Sequence, residues 1–341
     1  MHFKPVYKLC DWVDKNKLFI RELSHNPKSI DYLKQNIELI TWKYLSINEN
    51  AMEILENNLD KIDWNVIYSN KNAVYLLKKC ILMNNFFCCK QVQWNYLCTN
   101  QNCMEIFNIP KIKEYSYGKN YFILSKNQYA IPLLEQNLEN VEWSYLSSNP
   151  GAIELLKSNI SKIDWDQLSK NPNFEAIELL KKNLSKINWW SLNNNPNGHM
   201  ILKDYQDKIN WSLFCCHSND LTLCYENLDK VDWFYFSVRP EAIHVLEKNL
   251  DKVNWKSITW NKNAGHLILN NLDKVNGYWY YLSQNPCIFT YDYEQMKKNN
   301  MIFAEELMTY IYHPSRVLYY MDTYSYDILD DSYSKFFLNE I

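Results

Sequence analysis

Residues with the types and spacing that chemistry requires fall into a few groups in this chain. Cys215, Cys216 and His217 make the one tight Cys/His cluster. A zinc site wants two ligands two to four residues apart and a second such pair. Adjacent cysteines do not easily face one ion, so this cluster reads as structural, and Cys98 with Cys103 reads the same way. Serine recurs at Ser24, Ser46, Ser147, Ser169, Ser237 and Ser283; a residue repeated this often serves the repeat, not one nucleophilic centre. His244 and His266 stand 22 residues apart and read as surface histidines. Five glycines are too few for a phosphate-cradling loop. Two rows remain. Lys61, Lys162, Lys186, Lys208, Lys230, Lys252 and Lys274 would line one edge of a regular array, where they could track phosphates. Acidic neighbours such as Asp207, Asp229, Asp251 and Asp273 make that edge mixed in sign. Tyr44, Tyr96, Tyr145, Tyr235 and Tyr281 form a second row, able to stack on bases or to shield the residues beneath.

What places these rows is a phrase that returns thirteen times. Taking its Trp-like residue as position 0, the phrases start at Ile20, Trp42, Trp64, Trp94, Tyr121, Trp143, Trp165, Trp189, Trp211, Trp233, Trp255, Trp279 and Leu307. Seven of the twelve spacings are 22. Phe174-Glu175 and Gly277-Tyr278 are insertions, and the stretch 107–120 is an irregular join. A fixed period of this size signals stacked supersecondary units. The consensus is W-x-x-L-S-x-N-P-x-A-I-x-L-L-x-x-N-L-x-K-I-(D/N), and its central apolar group has helical spacing.

Asn at position 6 followed by Pro, as in Asn149-Pro150 and Asn171-Pro172, starts a helix of about nine residues: Asn caps, and Pro has its φ preset. The Asn near position 16 (Asn159, Asn183, Asn227, Asn249, Asn271) is expected to end it in the left-handed conformation. Asp63, Asn120, Asp164, Asn188, Asn210, Asp232 and Asn254 are expected to cap a shorter helix that opens at position 0, as an α or a 3-10 turn. In the phrase at Tyr121 the central helix is expected either to start late, at about Pro132, or to kink there. Neither helix is long enough to stand alone, so stacking must stabilise both.

The expected fold class is therefore all-α: an α-solenoid of about 13 short helical-hairpin repeats of period 22, alternating α and 3-10 helices. Trp residues should be buried between repeats. Layers about 8–10 Å apart would give a curved rod on the order of 120 Å long. The expected domains are an N-terminal cap (1–19), the repeat solenoid (20–306, with an irregular join at 101–120), and a degenerate last repeat with a Tyr-rich C-terminal cap (307–341).

The phrase resembles the short tryptophan repeats of uncharacterised proteins from mimivirus-like giant viruses, most clearly over Trp143 to Asn188 and Trp211 to Asn276. The abundance of Asn, Lys, Ile and Tyr, whose codons are A/T-rich, fits such a source. The resemblance implies no enzymatic activity and carries over no site residues. As architecture alone, the unit is also similar to leucine-rich-variant solenoids. The tetrapeptide Phe107-Asn108-Ile109-Pro110 spells the name of a different 22-residue repeat, but it occurs once and without alternating strand residues, and reads as coincidence.

Composition bounds the rest. Hydrophobic residues are 47% of the chain and charged residues 22%, the balance of a folded protein, and the net charge of −3 gives no general pull toward nucleic acid or acidic membranes. No apolar run would span a bilayer, and the first residues lack an apolar signal core. Ten cysteines without a fixed place in the unit suggest reduced thiols. The expected protein is cytoplasmic (host cytoplasm or viral factory if viral), not secreted, and without membrane contact. The expected function is a non-enzymatic scaffold for protein–protein interaction, with no cofactor and no metal. Its alternatives are RNA or single-stranded nucleic-acid binding and a structural role in a virion or assembly. The residues expected to bind are Tyr145, Tyr235 and Tyr281 with Lys186, Lys208, Lys230, Lys252 and Lys274. Oligomeric state is left open.

Overall fold

The computed structural model describes residues 5–82, 94–109, 120–311, 313, 315, 316 and 319. The Cys88-Cys89 pair, most of the irregular join and nearly all of the Tyr-rich C-terminal segment lie outside the described residues. What is described is mostly helical. Two short strands, β1 (Tyr7–Leu9) and β2 (Phe289–Tyr291), form a two-stranded sheet. The chain divides into two compact units, the larger holding Leu9–Thr290. In the smaller, Tyr7 stacks on Tyr291 with ring centres 5.2 Å apart. Asp292 N–H donates to Val6 O at 2.9 Å, and the helix Tyr293–Ile311 follows. The expected thirteenth phrase opens at Leu307, inside this continuous helix, and most of it lies outside the described residues.

Within the larger unit most described phrases build similar short elements, though those at Trp64 and Trp255 open with a 3-10 helix (Ile67–Ser69 and Ser257–Trp260). The phrase at Trp143 is typical: a helix Trp143–Ser147, a 3-10 turn Pro150–Ala152, a helix Ile153–Lys157 and a second 3-10 turn Ile160–Lys162. All seven expected caps of the first helix accept a backbone N–H, for example Asp164 Oδ1 from Gln167 at 3.1 Å. The second helix, expected to run about nine residues, does so at Val74–Leu82 but is shorter in the other phrases. Asn-Pro first tightens the chain into a 3-10 turn, and the α-helix proper begins at position 10. The insertion of Phe174-Glu175 removes this turn and yields the eight-residue helix Phe174–Lys181. Pro132 lies in the first turn of Ile131–Glu135, where no N–H is needed, as expected.

The Asn at position 16 corrects the sequence reading. It is not left-handed: Asn159 has φ −135° and ψ 48°, and Asn183 has φ −134° and ψ 48°. Its side chain replaces the backbone as the cap. Asn159 Nδ2 donates to Leu155 O at 2.9 Å, and Asn36, Asn58, Asn137, Asn183, Asn227, Asn249 and Asn271 each donate to the carbonyl four residues back. An open carbonyl at the helix end is thus met by an amide.

The core is not the Trp row. Position 3 is fully buried in Leu45, Leu97, Leu124, Leu146, Leu168, Leu192 and Leu282, and small residues at position 9 (Ala51, Ala73, Ala130, Ala152) let neighbouring backbones close in. The Trp residues from Trp42 to Trp255 at position 0 are only half-buried; Trp279 alone among them, at 6% exposure, is buried.

Asn at position 6 joins one phrase to the next. Its Oδ1 accepts from the N–H two residues on, as Asn171 does from Asn173 at 2.9 Å. Its Nδ2 reaches back one phrase to two carbonyls, Ser147 O at 3.0 Å and Asn149 O at 2.9 Å. Ser at position 4 adds a second link: Ser147 Oγ donates to Trp143 O at 2.7 Å and accepts from Asp164 N–H of the next phrase at 3.0 Å. Where Arg239 replaces Asn, its guanidinium reaches the carbonyls of Cys216 and Ser218 at 3.1 and 2.7 Å. Where Asn193 replaces Ser, its amide both donates to Trp189 O and accepts from Asn210 N–H, each at 2.8 Å.

The same links join the last of these phrases to the first. Asn26 Nδ2 donates to Ser283 O at 3.1 Å and Asn285 O at 2.9 Å, and Phe19 N–H donates to Ser283 Oγ at 2.9 Å. The 3-10 turn Lys15–Lys17 and Phe19 stand where positions 17–21 of the phrase at Trp279 would stand. Cys10 N–H donates to Ile288 O at 2.9 Å. Residues 9–19, expected as part of a cap, therefore complete the final phrase, and where a curved rod was expected the last of these phrases is hydrogen-bonded to the first. Open ends would leave buried carbonyls unmet, which costs more than a made bond gains. In chemical denaturation, Asn26→Ala should then destabilise the protein as much as Asn171→Ala, by about 1–3 kcal/mol each. A much smaller effect at Asn26 would show that the two ends do not hold each other in solution.

Candidate functional site

The lysine row is engaged with the Trp row. Lys186 Nζ lies 4.2 Å from the centre of the Trp165 ring, Lys274 4.6 Å from Trp255, Lys252 5.4 Å from Trp233 and Lys230 5.5 Å from Trp211. Lys61 and Lys162 sit likewise over Trp42 and Trp143, and Lys17 covers Trp279 across the junction at 5.8 Å. Each stem shields an indole that the core leaves half-covered, while the ammonium meets the ring face. Lys208 departs from the pattern. In its phrase Tyr205 replaces the Asn of position 16 and packs on Trp189 at 5.1 Å, so Lys208 turns to Asp207 at 2.8 Å. That ion pair holds the exposed Asp207 carboxyl below its ordinary range.

The tyrosine row meets further aromatics that consensus reading missed, because they lie at the variable positions 1 and 5. Tyr235 touches Phe234, Phe234 touches Trp260, Trp260 touches Tyr281, Tyr281 touches Tyr280 and Tyr280 touches Phe19, with ring centres 4.9–6.1 Å apart and edge-to-face angles. Phe234, Trp260, Tyr280 and Phe19 are 36%, 38%, 43% and 49% exposed. Lys256 lies over Tyr281 at 5.6 Å. Tyr145 belongs to a separate cluster, with Phe122 at 4.2 Å and Lys126 3.9 Å over its ring. The run of pattern-breaking aromatics Phe234, Trp260 and Tyr280 was the available signal in the sequence.

The Cys and His groups serve packing. Cys215 is buried with its sulfur 3.4 Å from that of Cys224, while His217 is exposed. The shared hydrogen bond lowers the Cys215 thiol and raises that of Cys224. His244 packs edge-on against Tyr225 at 5.1 Å, and His266 pairs with Glu247 at 2.5 Å, so each has its own partner. Ser24, Ser46, Ser147, Ser169, Ser237 and Ser283 are fully buried in the links between phrases. No group of three or more metal-ligating side chains exists among the described residues. Among those residues no helix is long and apolar enough to cross a membrane. No family model, curated protein or solved structure matches the chain.

Burial pushes the Cys98 thiol up to about 11 and the Cys103 thiol up to about 12, from an ordinary 9.0. A raised thiol favours the protonated native state. Its contribution is complete below about pH 9 and is lost progressively as pH climbs toward 12. The alkaline loss of stability should therefore be shallower in Cys98→Ala/Cys103→Ala than in the parent. Denaturant titrations at several pH values check this, and parallel curves would refute it.

Proposed function

We propose that residues 9–290 form a closed ring of twelve helical-hairpin phrases, a circularised α-solenoid, acting as a non-enzymatic scaffold that binds protein through its aromatic row. The edge-to-face chain from Tyr235 to Phe19 carries this reading. Aromatic side chains bring large contact area with few rotors, and they dominate the energy of protein interfaces. Phe234, Trp260 and Tyr280 of this row occupy the variable positions 1 and 5, where a repeat scaffold writes its specificity. The lysines are spent on Trp faces and acidic neighbours, and the net charge is −3, which together weigh against a phosphate track.

Nucleic-acid binding is the second reading, favoured by one observation: Lys256 over Tyr281 and Lys126 over Tyr145 set a cation beside a stacking face. The resemblance to giant-virus repeats would place either activity in an infected cell. Affinity purification from the native or infected cell, with nuclease treatment in parallel, separates the two. Protein partners should survive nuclease and be lost with Phe234→Ser/Trp260→Ser/Tyr280→Ser, whose helical content by circular dichroism should match the parent. Partners lost with nuclease would reverse the ranking, and partners retained by the triple variant would remove the aromatic row from the site.

A further inference from the structure

The aromatic row does not stop at Phe19. That residue leads into the helix Ile20–Leu23, where Glu22 accepts from Gln284 Nε2 at 2.5 Å and so ties the phrase at Trp279 to the phrase at Ile20. One phrase further on, the Tyr44 ring meets His25 with ring centres 4.1 Å apart and carries the Arg21 guanidinium at 4.6 Å. The surface therefore runs over five successive phrases, those at Trp233, Trp255, Trp279, Ile20 and Trp42.

The charge of this strip is one-sided. At positions 1, 2 and 5 of the five phrases stand Arg21, Lys43 and Lys256, all exposed, and one carboxylate, Glu22. Glu22 is only 4% exposed and is engaged with Gln284. Asp232, which caps the first of these helices, is spent on Ser212 Oγ at 2.6 Å and on the Phe234 N–H at 3.0 Å. The three cations make no ion pair among the described residues, and Arg21 and Lys256 rest on the rings of Tyr44 and Tyr281. The second helices contrast with this: Lys34 meets Glu53 at 2.7 Å, Lys78 meets Glu105 and Lys157 meets Glu175. In a chain of net charge −3, the strip is locally positive and unmatched.

Ring geometry narrows what such a surface takes. The rings from Tyr235 to Phe19 meet at 70–89°, edges turned into faces. They are not a series of parallel open faces on which successive bases stack. Apolar side chains need contact area and no parallel face, and they suit upright rings. A cation seated on a ring keeps its outer side toward water, where a carboxylate can reach it. Four steps of roughly 8–10 Å between neighbouring helices span about as much as ten to twelve residues of extended chain.

We propose that this strip binds an acidic linear segment of another protein, in which carboxylates alternate with apolar side chains. The carboxylates meet Arg21, Lys43 and Lys256, and the apolar groups meet Phe234, Trp260 and Tyr280. This rests on the reading of the aromatic row as a protein-binding surface and adds the chemistry of the partner.

Fluorescence anisotropy on the full chain tests it, with four labelled probes of about twelve units: an alternating Glu/Leu peptide, a Glu/Ser peptide, a Lys/Leu peptide and a single-stranded oligouridylate. The Glu/Leu peptide should bind saturably and at least about tenfold more tightly than each of the others. Lys43→Glu/Lys256→Glu should weaken it at least about tenfold and strengthen the Lys/Leu peptide, a reversal that a merely damaged fold does not produce. No binding of the Glu/Leu peptide, equal binding of the Glu/Ser peptide or the oligouridylate, or undiminished binding by the charge-reversed variant would each overturn the proposal. Affinity purification separates this from the reading beneath it. Nuclease-resistant partners kept by Lys43→Glu/Lys256→Glu but lost with the triple serine variant would sink the acidic segment and leave the aromatic row standing; partners kept by both variants would sink both.

Discussion

A buried carboxamide can satisfy three backbone groups at once, and the larger unit depends on that capacity. Asn171 accepts one N–H of its own phrase and donates to two carbonyls of the phrase before it. A carboxylate has no hydrogen to donate, and a hydroxyl has only one. Gln would carry the amide one methylene further and lose the local cap. Only Arg239 stands in at a distance, because its guanidinium fork reaches more than one carbonyl. Two very short helices that are marginal alone become a fixed hairpin once this amide couples each to its neighbour.

This coupling makes an end costly. A phrase without a successor leaves buried carbonyls unmet, and one without a predecessor leaves an amide donor idle. Asn26 and Ser283 remove both problems by meeting each other. In an open repeat array the terminal units are the weak ones and need polar caps. Here the strand of chain from Cys10 to Phe19 serves as the missing part of the last phrase.

The surface follows from what the core leaves over. Leu at position 3 and small residues at position 9 fill the interior, so most Trp rings stay half-covered and a lysine stem closes each one. The row that resembled a phosphate track is largely part of the packing. Specificity is left to positions 1 and 5, where Phe234, Trp260 and Tyr280 stand in contact. The junction is the other place where regularity fails: its extra Gly277-Tyr278 and its buried, unpartnered Trp279 N–H set it apart from the repeated contacts.

The sequence by itself determined the helical class, the register of the phrases, the caps at Asp164 and its equivalents, and the structural role of the recurring serines. These are local matters, settled by side chains within a few residues of the backbone groups they meet. It misled on Asn159 and its equivalents, because a side-chain amide and a left-handed backbone both satisfy a helix end, and the two are indistinguishable in a string of letters. Tertiary structure alone decided that Lys186 belongs to Trp165, that Trp260 touches Tyr281, and that Phe19 and Asn26 meet Ser283. Residues 26 and 285 lie 259 positions apart in the chain yet share a hydrogen bond. No single phrase encodes these meetings, so the junction and the aromatic contacts beside it exist only in the tertiary structure.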